Sequence, residues 1–422
     1  MTSPSIESFQ ASLAEIVGAE YVRVASPADA IDLLIPYLVV APADPAQTAA
    51  VLHAAQHAAV SVIPRGGGTK LGWGNRPRAA HVVLDLHRQN RVLEHAWGDM
   101  TATVQAGCTV ADFQRTLAAH GQRLALDPLF AERSTIGGML ATNESGAWRV
   151  RYGSLRDQVI GMTVALADGT LAKSGGKVVK NVAGYDLPKL MTGALGTLGV
   201  IVEATFRLYP LALDTRHLRV GFGDPIRANR ALLGILDSVL APAAIQLRIS
   251  ASQPVQLDCF FEGLPAALDS QEQQLATIVG APPLPGDPAI WQAREALWSG
   301  SEPALVAKVV VLPADIARLA EALGRVAEPL KLQWHVVING LGVGMLRLEA
   351  ANDEALLAVL MRLRSDLAAM NGTVVALGCP ASIKGRIDIW GEPSDALPLM
   401  RRVKERFDPQ QILNPGRYVG GM

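Results

Sequence analysis

The chain has 422 residues, and half of them are hydrophobic, which is enough for two or three domains with sizeable buried cores. Its formal net charge is −1 and it has no block of Lys and Arg residues, so neither a nucleic acid nor a membrane surface is indicated as a partner. The three cysteines, Cys108, Cys259 and Cys379, form no CxxC pair, which argues against a zinc or iron–sulfur site. Without a signal-peptide pattern or an apolar stretch long enough to span a bilayer, a cytoplasmic protein is expected.

The first half of the chain is predicted to contain short strands and glycine-rich loops. Asp44-Pro45 is an N-cap followed by proline at the first helical position, and it predicts a helix through AQTAAVLHAAQHAA. A helix at TVADFQRTLAAHG and a hairpin turning at Asp168-Gly169 are also predicted. Strands are predicted at YLVVA, VSVIP, HVVLDL, RVLEHA, TATVQAG and GVIVEATFRLYPL.

From about residue 213 the pattern changes to a regular alternation of helices and strands, so we place a domain boundary near residue 212. Helices are predicted at DPIRANRALLGILDSVLA, AALDSQEQQLATIVG, ADIARLAEALGRVAE and DEALLAVLMRLRSDLAAM. Strands are predicted at AIQLRIS, VQLDCFF, ALVAKVVVLP, LQWHVVING and GMLRLEA. This is an α+β pattern with antiparallel pairs. The final stretch, RFDPQQILNPGRYVGGM, is again rich in Pro and Gly.

The stretch VIPRGGGTKLGWGN, residues 62–75, places three glycines between Arg65 and Lys70. Successive glycines admit close backbone approach, and consecutive N–H groups can form an anion site. The spacing matches neither GxGxxG nor GxxxxGK[ST], so by itself the loop is either a pyrophosphate site or a flexible turn. Two further glycine-rich stretches, ERSTIGGMLATNESGAWRVRYGSLRDQVIG and KNVAGYDLPKLMTGALGTLGVIVEA, favour one long, polar ligand with the shape of a dinucleotide.

These three stretches and FDPQQILNPGR together resemble the FAD-linked oxidases with the vanillyl-alcohol-oxidase (PCMH-type) FAD fold, and among them the E-type FAD-binding subunit of glycolate oxidase. The resemblance implies an α+β protein with a PCMH-type FAD-binding domain of two α/β subdomains over residues 1–212, divided near residue 100. It also implies a second α+β domain with an antiparallel sheet over 213–400, and a C-terminal segment, 401–422, that returns to the FAD domain.

The resemblance further implies FAD as the cofactor, bound non-covalently because the glycine loop has no histidine. The segment from Arg65 to Thr69 would cradle the pyrophosphate, the backbone at Ile201 would face the flavin ring, and Asn414 would close the site. The predicted cofactor-binding residues are Arg65, Gly66, Gly67, Gly68, Thr69, Lys70, Ser134, Thr135, Gly137, Gly138, Asn143, Ser145, Gly146, Arg151, Gly153, Asp157, Ile201 and Asn414.

Catalytic relatives that oxidise 2-hydroxy acids resemble one another in GSEGTLG and carry a His pair with a nearby acidic residue that holds a metal. Here Leu195 replaces the Glu, in GALGTLG, and His335 has no partner His, so no metal is expected. This favours a FAD-binding subunit of a glycolate oxidase complex that oxidises glycolate to glyoxylate beside a D-type flavin subunit and an iron–sulfur subunit. The partner subunits could bring it to a membrane. Two alternatives stay open: a stand-alone FAD-dependent dehydrogenase of 2-hydroxy acids such as D-lactate, and an assembly subunit whose FAD is structural.

Oxidation of a 2-hydroxy acid needs a cation for the carboxylate, a base for the hydroxyl proton and a hydride acceptor. His335 is either that base or a half-buried strand residue, and Arg294 is either a bidentate carboxylate clamp or a surface cation on a helix. Lys177 and Lys180 either approach the flavin or are solvated loop lysines.

Overall fold

The first sheet forms around the glycine loop. In the computed structural model, which describes residues 6–176 and 185–422, four strands lie in the order β1-β2-β4-β3. Strands β2 and β3 run parallel to β4, while β1 pairs antiparallel with β2. The predicted strands on both sides of the loop are confirmed. The bounds are β1 Val22–Val24, β2 Leu38–Val40, β3 Val62–Arg65 and β4 Val82–Asp85.

A second sheet completes the first half of the chain, with the strand order β5-β6-β10-β8-β9 and antiparallel pairs. The predicted hairpin at Asp168-Gly169 joins β8 to β9. A separate ribbon pairs β7 with β11. The bounds are β5 Val92–Ala96, β6 Thr101–Gln105, β7 Gln122–Arg123, β8 Val159–Ala165, β9 Leu171–Gly175, β10 Val200–Arg207 and β11 Tyr209–Pro210.

A large antiparallel sheet forms the second half of the chain, in the order β15-β12-β14-β13-β17-β18-β16-β19. The α+β class with antiparallel sheets is therefore confirmed, although the sequence patterns did not reveal β12 or β19. The bounds are β12 Asp214–Phe222, β13 Ala244–Ser250, β14 Val255–Gly263, β15 Leu284–Pro285, β16 Ala304–Val310, β17 Gln333–Asn339, β18 Val343–Glu349 and β19 Thr373–Gly378.

Several of the helices begin at a polar cap residue. The Asp44 carboxylate accepts a hydrogen bond from the Gln47 amide, 2.8 Å away, at the predicted start of α2. No helix in the described ranges is long and apolar enough to cross a membrane. The bounds are α1 Ile6–Val17, α2 Pro45–His57, α3 Val110–Ala118, α4 Ile136–Thr142, α5 Arg149–Tyr152, α6 Leu155–Gln158, α7 Leu187–Met191, α8 Pro225–Leu236, α9 Pro265–Val279, α10 Ala293–Ala296, α11 Ile316–Ala327, α12 Asp353–Ala368, α13 Ala381–Lys384 and α14 Leu397–Phe407.

Strand alternation gives the large sheet two different faces. On β16, Leu305, Ala307 and Val309 are buried in the core that the sheet forms with its helices. The alternate residues, Val306 and Lys308, lie on the opposite face, since successive side chains of a strand point to opposite sides. Val306 packs there against Trp73 of the first half of the chain. This face of the sheet is therefore directed toward the glycine-rich half.

The C-terminal segment packs on the first sheet beside the glycine loop. The Val62 amide donates to the Ile412 carbonyl at 2.8 Å, and the Asn414 amide donates to the Val62 carbonyl at 3.0 Å. A buried ion pair between Lys404 and Asp408 fixes the turn that precedes this contact. Lys404 also donates to the Thr197 carbonyl, 2.7 Å away, so it ties α14 to the third glycine-rich stretch.

We predict that Lys404→Met lowers the free energy of unfolding by about 3–5 kcal/mol, because it leaves the Asp408 carboxylate buried without its cation. Urea unfolding followed by tryptophan fluorescence measures this. Arg402→Met, at an exposed position on the same helix, is the matched control and should change stability by no more than about 0.5 kcal/mol. Equal effects of the two substitutions would contradict the anchoring role of Lys404.

Candidate functional site

The glycine loop leaves β3 and packs directly on the segment that precedes α4. A Cβ atom on Gly66 would lie 2.0 Å from the Thr135 hydroxyl, and one on Gly67 would lie 1.6 Å from the Arg133 carbonyl oxygen. Gly68 has a φ of +71°, in the left-handed region that glycine adopts without strain. The loop thus requires glycine for close backbone approach, which leaves its peptide groups free of side-chain cover.

The charge of Arg65 is directed away from the loop. Its guanidinium forms ion pairs with Asp85 at 2.7 Å and with Asp29 at 2.8 Å. Hydrogen bonds from Arg23 and Arg65 hold the pKa of Asp29 far below its usual range, the Arg23 bond being the larger cause, so this carboxylate is ionised. Arg65 therefore contributes to the cleft chiefly through its backbone.

Lys70 and Thr69 form a hydrogen-bonded cluster under the loop. The Lys70 ammonium donates to the Ser134 hydroxyl at 2.8 Å and pairs with the Glu144 carboxylate at 2.7 Å. The hydroxyls of Thr69 and Ser134 lie 3.0 Å apart. Lys70 is buried, and Glu144 offsets its charge, so the cluster fixes the loop instead of presenting a free cation.

Helix α4 begins at the floor of the same cleft. Thr135 is its N-cap and accepts a hydrogen bond from the Gly138 amide at 3.3 Å. The Gly137 amide donates to the Ala106 carbonyl at 2.8 Å. A Cβ on Gly137 would lie 2.8 Å from that of Ala106, so this glycine lets α4 pack against the end of β6.

Two adjoining narrow clefts, of about 70 and 60 Å³, run between the glycine loop, α4 and β10. Their common walls join them into one slot. Ile201 lines the β10 side of this slot, and Asn414 lies at its C-terminal side, where its amide donates to the Leu195 carbonyl. The shared lining residues are Pro64, Arg65, Gly66, Thr135, Gly138, Ala141, Leu195 and Asn414.

Arg417 is a cleft residue that the sequence prediction missed. Its guanidinium donates to the Leu71 and Trp73 carbonyls and so fixes the end of the glycine loop. Burial lowers the pKa of Arg417 to about 10. The Arg417 Nε and the Asn414 Oδ1 are buried without a partner among the described residues, and both side chains line the slot. The position of Arg417 in LNPGR, directly after the predicted Asn414, was the only available signal.

A larger cavity of about 340 Å³ continues from the slot and is closed by the large sheet. It shares Thr142 and Leu195 with the slot, and the predicted residues Asn143 and Ser145 line it. The lining residues are Trp73, Thr142, Asn143, Glu144, Ser145, Arg156, Thr192, Gly193, Leu195, Arg294, Lys308, Val310, Val343, Gly344, Met345, Thr373, Val375, Leu377, Trp390 and Tyr418. We call it the central cavity.

Lys308 gives the central cavity a half-buried cation. It projects from β16 on the face opposite the core, where a lysine interrupts the apolar strand ALVAKVV. Burial lowers the pKa of Lys308, the positive charge of Arg149 lowers it further, and Glu144 opposes both effects. The sequence prediction missed this residue; the only signal was a charged residue in a predicted strand that is otherwise apolar.

Arg294 lines the central cavity but is engaged in contacts between the two halves of the chain. It donates to the Asp127 carbonyl and, at 3.3 Å, to the Ser145 carbonyl. It also lies 3.5 Å from the Asp127 carboxylate. Burial raises the pKa of Asp127, and Arg294 opposes that rise. Arg294 is thus buried between the two halves of the chain, so its interpretation as a surface helix cation is wrong.

The predicted base, His335, lies on β17 opposite Arg347 of β18 and Ser250 of β13. It is half-buried, and the described residues that line the central cavity do not include it. The catalytic role of His335 therefore stays a prediction, and its position outside the cavity lining does not favour that role. Lys177 and Lys180 fall outside the described residues.

Four predicted cofactor residues have structural contacts of their own. A Cβ on Gly146 would overlap both the Asp127 carboxylate and the Arg294 guanidinium, so this glycine serves the packing between the two halves of the chain. Arg151 is exposed and donates to the Ala241 carbonyl at 3.0 Å. The Asp157 carboxylate accepts a hydrogen bond from the amide of Ser154, the N-cap of α6, and Gly153, with a φ of +76°, lies against Asp157.

Three observations indicate that the slot can hold FAD. Glycines occupy its two closest backbone contacts, and its peptide groups are exposed. Its walls also carry buried polar atoms that have no partner among the described residues. Within the described ranges, no group of three or more His, Cys, Asp and Glu side chains is placed to hold a metal ion.

Comparison with known proteins agrees with this geometry. A FAD binding domain matches residues 36–175, and the C-terminal domain of FAD linked oxidases matches residues 392–418. Glycolate oxidase subunit GlcD of Bacillus subtilis is 27% identical over 91% of this chain and 89% of its own length. D-lactate dehydrogenase of Archaeoglobus fulgidus is 28% identical over 91% of each protein.

The solved structures give the fold. p-Cresol methylhydroxylase matches with a TM-score of 0.78 at 16% identity, over 97% of this chain and 96% of its own. Alkyldihydroxyacetonephosphate synthase matches with a TM-score of 0.75 at 19% identity, over 98% and 85%. The chain therefore has the fold of p-cresol methylhydroxylase, it matches a FAD binding domain and the C-terminal domain of FAD linked oxidases, and it is a FAD-dependent oxidoreductase.

Proposed function

We propose that this protein oxidises a small 2-hydroxy acid, and that it is the FAD-binding subunit of a glycolate oxidase complex that converts glycolate to glyoxylate. The observation that carries the proposal is that the slot opens into the central cavity, where Lys308 supplies a half-buried cation. The names of the relatives support the substrate class: a glycolate oxidase subunit, a D-lactate dehydrogenase and a D-2-hydroxyglutarate dehydrogenase of Xanthomonas citri.

Residues of the first half of the chain would hold the cofactor. The backbone from Gly66 to Thr69 would bind the pyrophosphate, because the glycines leave its N–H groups accessible. Ile201 and Asn414 would contact the remainder of FAD along the slot. When bound, FAD supplies the acceptor for the hydride that leaves the hydroxyl-bearing carbon.

Lys308 and Arg156 would bind and orient the substrate carboxylate in the central cavity. Both side chains line the cavity, where Lys308 is half-buried and Arg156 is exposed, and neither forms an ion pair with a carboxylate among the described residues. The half-buried Lys308 ammonium attracts an anion more strongly than an exposed cation does, since water screens it less. The cavity volume, about 340 Å³, suits a small acid.

In the proposed complex the electrons would leave through a D-type flavin subunit and an iron–sulfur subunit. The three cysteines of the chain are widely separated, so it offers no evident ligand set for a cluster of its own. A stand-alone dehydrogenase is the second candidate, and the match of dehydrogenases over about nine-tenths of this chain favours it. In that case His335 and Arg294 remain the predicted base and carboxylate clamp.

We predict that the purified chain carries FAD that acid denaturation releases into solution, as expected of a non-covalent flavin. Anaerobic titration with glycolate, D-lactate and D-2-hydroxyglutarate, followed by flavin absorbance, then separates the candidates. Bleaching of the isolated chain would support the stand-alone dehydrogenase. No bleaching, with activity restored when the chain joins a complex that lacks its E subunit, would support the proposed subunit. Absence of flavin after incubation with FAD would contradict both.

We predict that Lys308→Met raises KM for the 2-hydroxy acid at least about tenfold, because a charge-assisted hydrogen bond to the carboxylate is lost. If the isolated chain is not reduced, the Kd from the perturbation of the flavin spectrum replaces KM. Lys173→Met, at an exposed position on β9, is the matched control. Unchanged substrate affinity in Lys308→Met would remove the assignment.

The lowered pKa of Lys308 also sets a pH dependence. Lys308 loses its positive charge as the pH rises through its lowered pKa, which is below the usual pKa of lysine. Substrate affinity should therefore begin to fall at a lower pH than an ordinary lysine would give. Lys308→Arg keeps the charge and should shift or abolish this limb. The pH profile of kcat/KM measures it, and the same limb in both proteins would assign the titration to another group.

We predict that Gly67→Ala lowers the affinity for FAD at least about tenfold, because its Cβ would lie 1.6 Å from the Arg133 carbonyl and displace the loop. Flavin content and the Kd from fluorescence quenching measure the change. Gly72→Ala, in the same loop with no atom within 4 Å of its Cβ, should retain normal binding. Equal loss in both variants would indicate a loop that tolerates no side chain anywhere, and would contradict the specific cradle.

A further inference from the structure

The last turns of α2 carry two histidines that lie outside the FAD site. His53 and His57 are four positions apart in HAAQH, and both are exposed. Residues four apart face the same side of a helix. Their Nε2 atoms are 3.1 Å apart, and the ring centroids are 4.4 Å apart with an interplanar angle of 78°.

The tautomer of His53 is set by the hairpin between β8 and β9. Its Nδ1 lies 3.1 Å from the Asp168 carbonyl oxygen. Because a carbonyl only accepts hydrogen bonds, Nδ1 carries the proton, and in the neutral imidazole the Nε2 lone pair points toward His57. Hydrogen bonding of the second ring nitrogen to a carbonyl is the arrangement that orients metal-binding histidines.

This contact is held by a close approach between the hairpin and the helix. A Cβ on Gly169, which has a φ of +85°, would lie 2.7 Å from the Ala49 carbonyl oxygen and 2.8 Å from the His53 Cβ. Only glycine allows the turn to sit this deeply on α2. The position of the Asp168 carbonyl relative to His53 is therefore fixed by backbone packing.

The separation of the two nitrogens matches that of a bound metal ion. Imidazole nitrogens about 2.0–2.1 Å from one metal, at bond angles between about 90° and 109°, lie about 2.9–3.4 Å apart. The observed 3.1 Å falls inside this range without movement of the backbone. The C-terminal end of α2, where His57 is the last helical residue, also carries a partial negative charge that favours a cation.

We propose that His53 and His57 form a surface site for a first-row divalent transition-metal ion, with water molecules as the remaining ligands. The ion replaces the proton that the two Nε2 atoms share, and His57 changes tautomer so that both lone pairs point to the metal. By the general order of affinities, Cu²⁺ binds more tightly than Ni²⁺ or Zn²⁺. The bound ion ties α2, through His53 and the Asp168 carbonyl, to the β8–β9 hairpin.

The test is titration of the flavin-loaded full chain, purified without a histidine tag, with CuCl₂ and ZnCl₂ by calorimetry. We expect one site per chain and a rise in Tm on Zn²⁺ addition, because the ion binds the folded state. The Cu²⁺ electron paramagnetic resonance spectrum should show nitrogen coupling from two imidazoles.

His53→Gln and His57→Gln should each weaken metal binding at least about tenfold, as expected for loss of one of two protein ligands. His120→Gln, an exposed histidine that stacks on Trp97, is the matched control and should bind as the wild type does. Circular dichroism and flavin content confirm that each variant is folded. Absence of a stoichiometric site, or equal affinity in both variants and the wild type, would overturn the proposal.

Discussion

The structure depends on the approach of the glycine loop to the segment before α4, a contact too close for any side chain. Side chains at Gly66 and Gly67 would overlap the Thr135 hydroxyl and the Arg133 carbonyl. This contact brings the end of β3 to the N-terminus of α4 and leaves a narrow slot with a backbone wall. The C-terminal segment closes the slot because Asn414 binds both Val62 and Leu195.

Most charges around the slot are matched by buried opposite charges. Arg65 pairs with two carboxylates, and Lys70 pairs with Glu144. An unpaired buried charge is costly, so these pairs stabilise the walls while the peptide N–H groups remain available for an anionic ligand. Lys308 differs, because its ammonium has no carboxylate partner within the described part of the chain and faces the central cavity. Arg65 and Lys70, whose charges are paired, are therefore structural residues of the slot, whereas Lys308 is a candidate ligand for the substrate.

The central cavity requires both halves of the chain. The first half provides Asn143 and Ser145, and β16 of the large sheet provides Lys308. Two buried contacts hold the halves together there: Arg294 with Asp127, and the Asn339 amide with the Gly146 carbonyl at 2.9 Å. Arg294 and Gly146 both take part in this packing. Their contacts therefore hold the walls of the cavity in position. The large sheet therefore forms one wall of the cavity and places Lys308 at the end of the slot.

The sequence by itself determined the local elements and the class of ligand. The Asp44-Pro45 cap, the alternating strands and the glycine loop are short-range patterns, and each was found where it was predicted. Only the tertiary structure decided which side chains meet. Strand alternation places Lys308 on one face of β16, but it does not say that this face closes the cavity. Likewise, spacing could not show that Arg65 is neutralised, that Arg417 holds the loop, or that His335 lies outside the cavity. These outcomes depend on contacts between residues far apart in the chain, which local patterns do not encode.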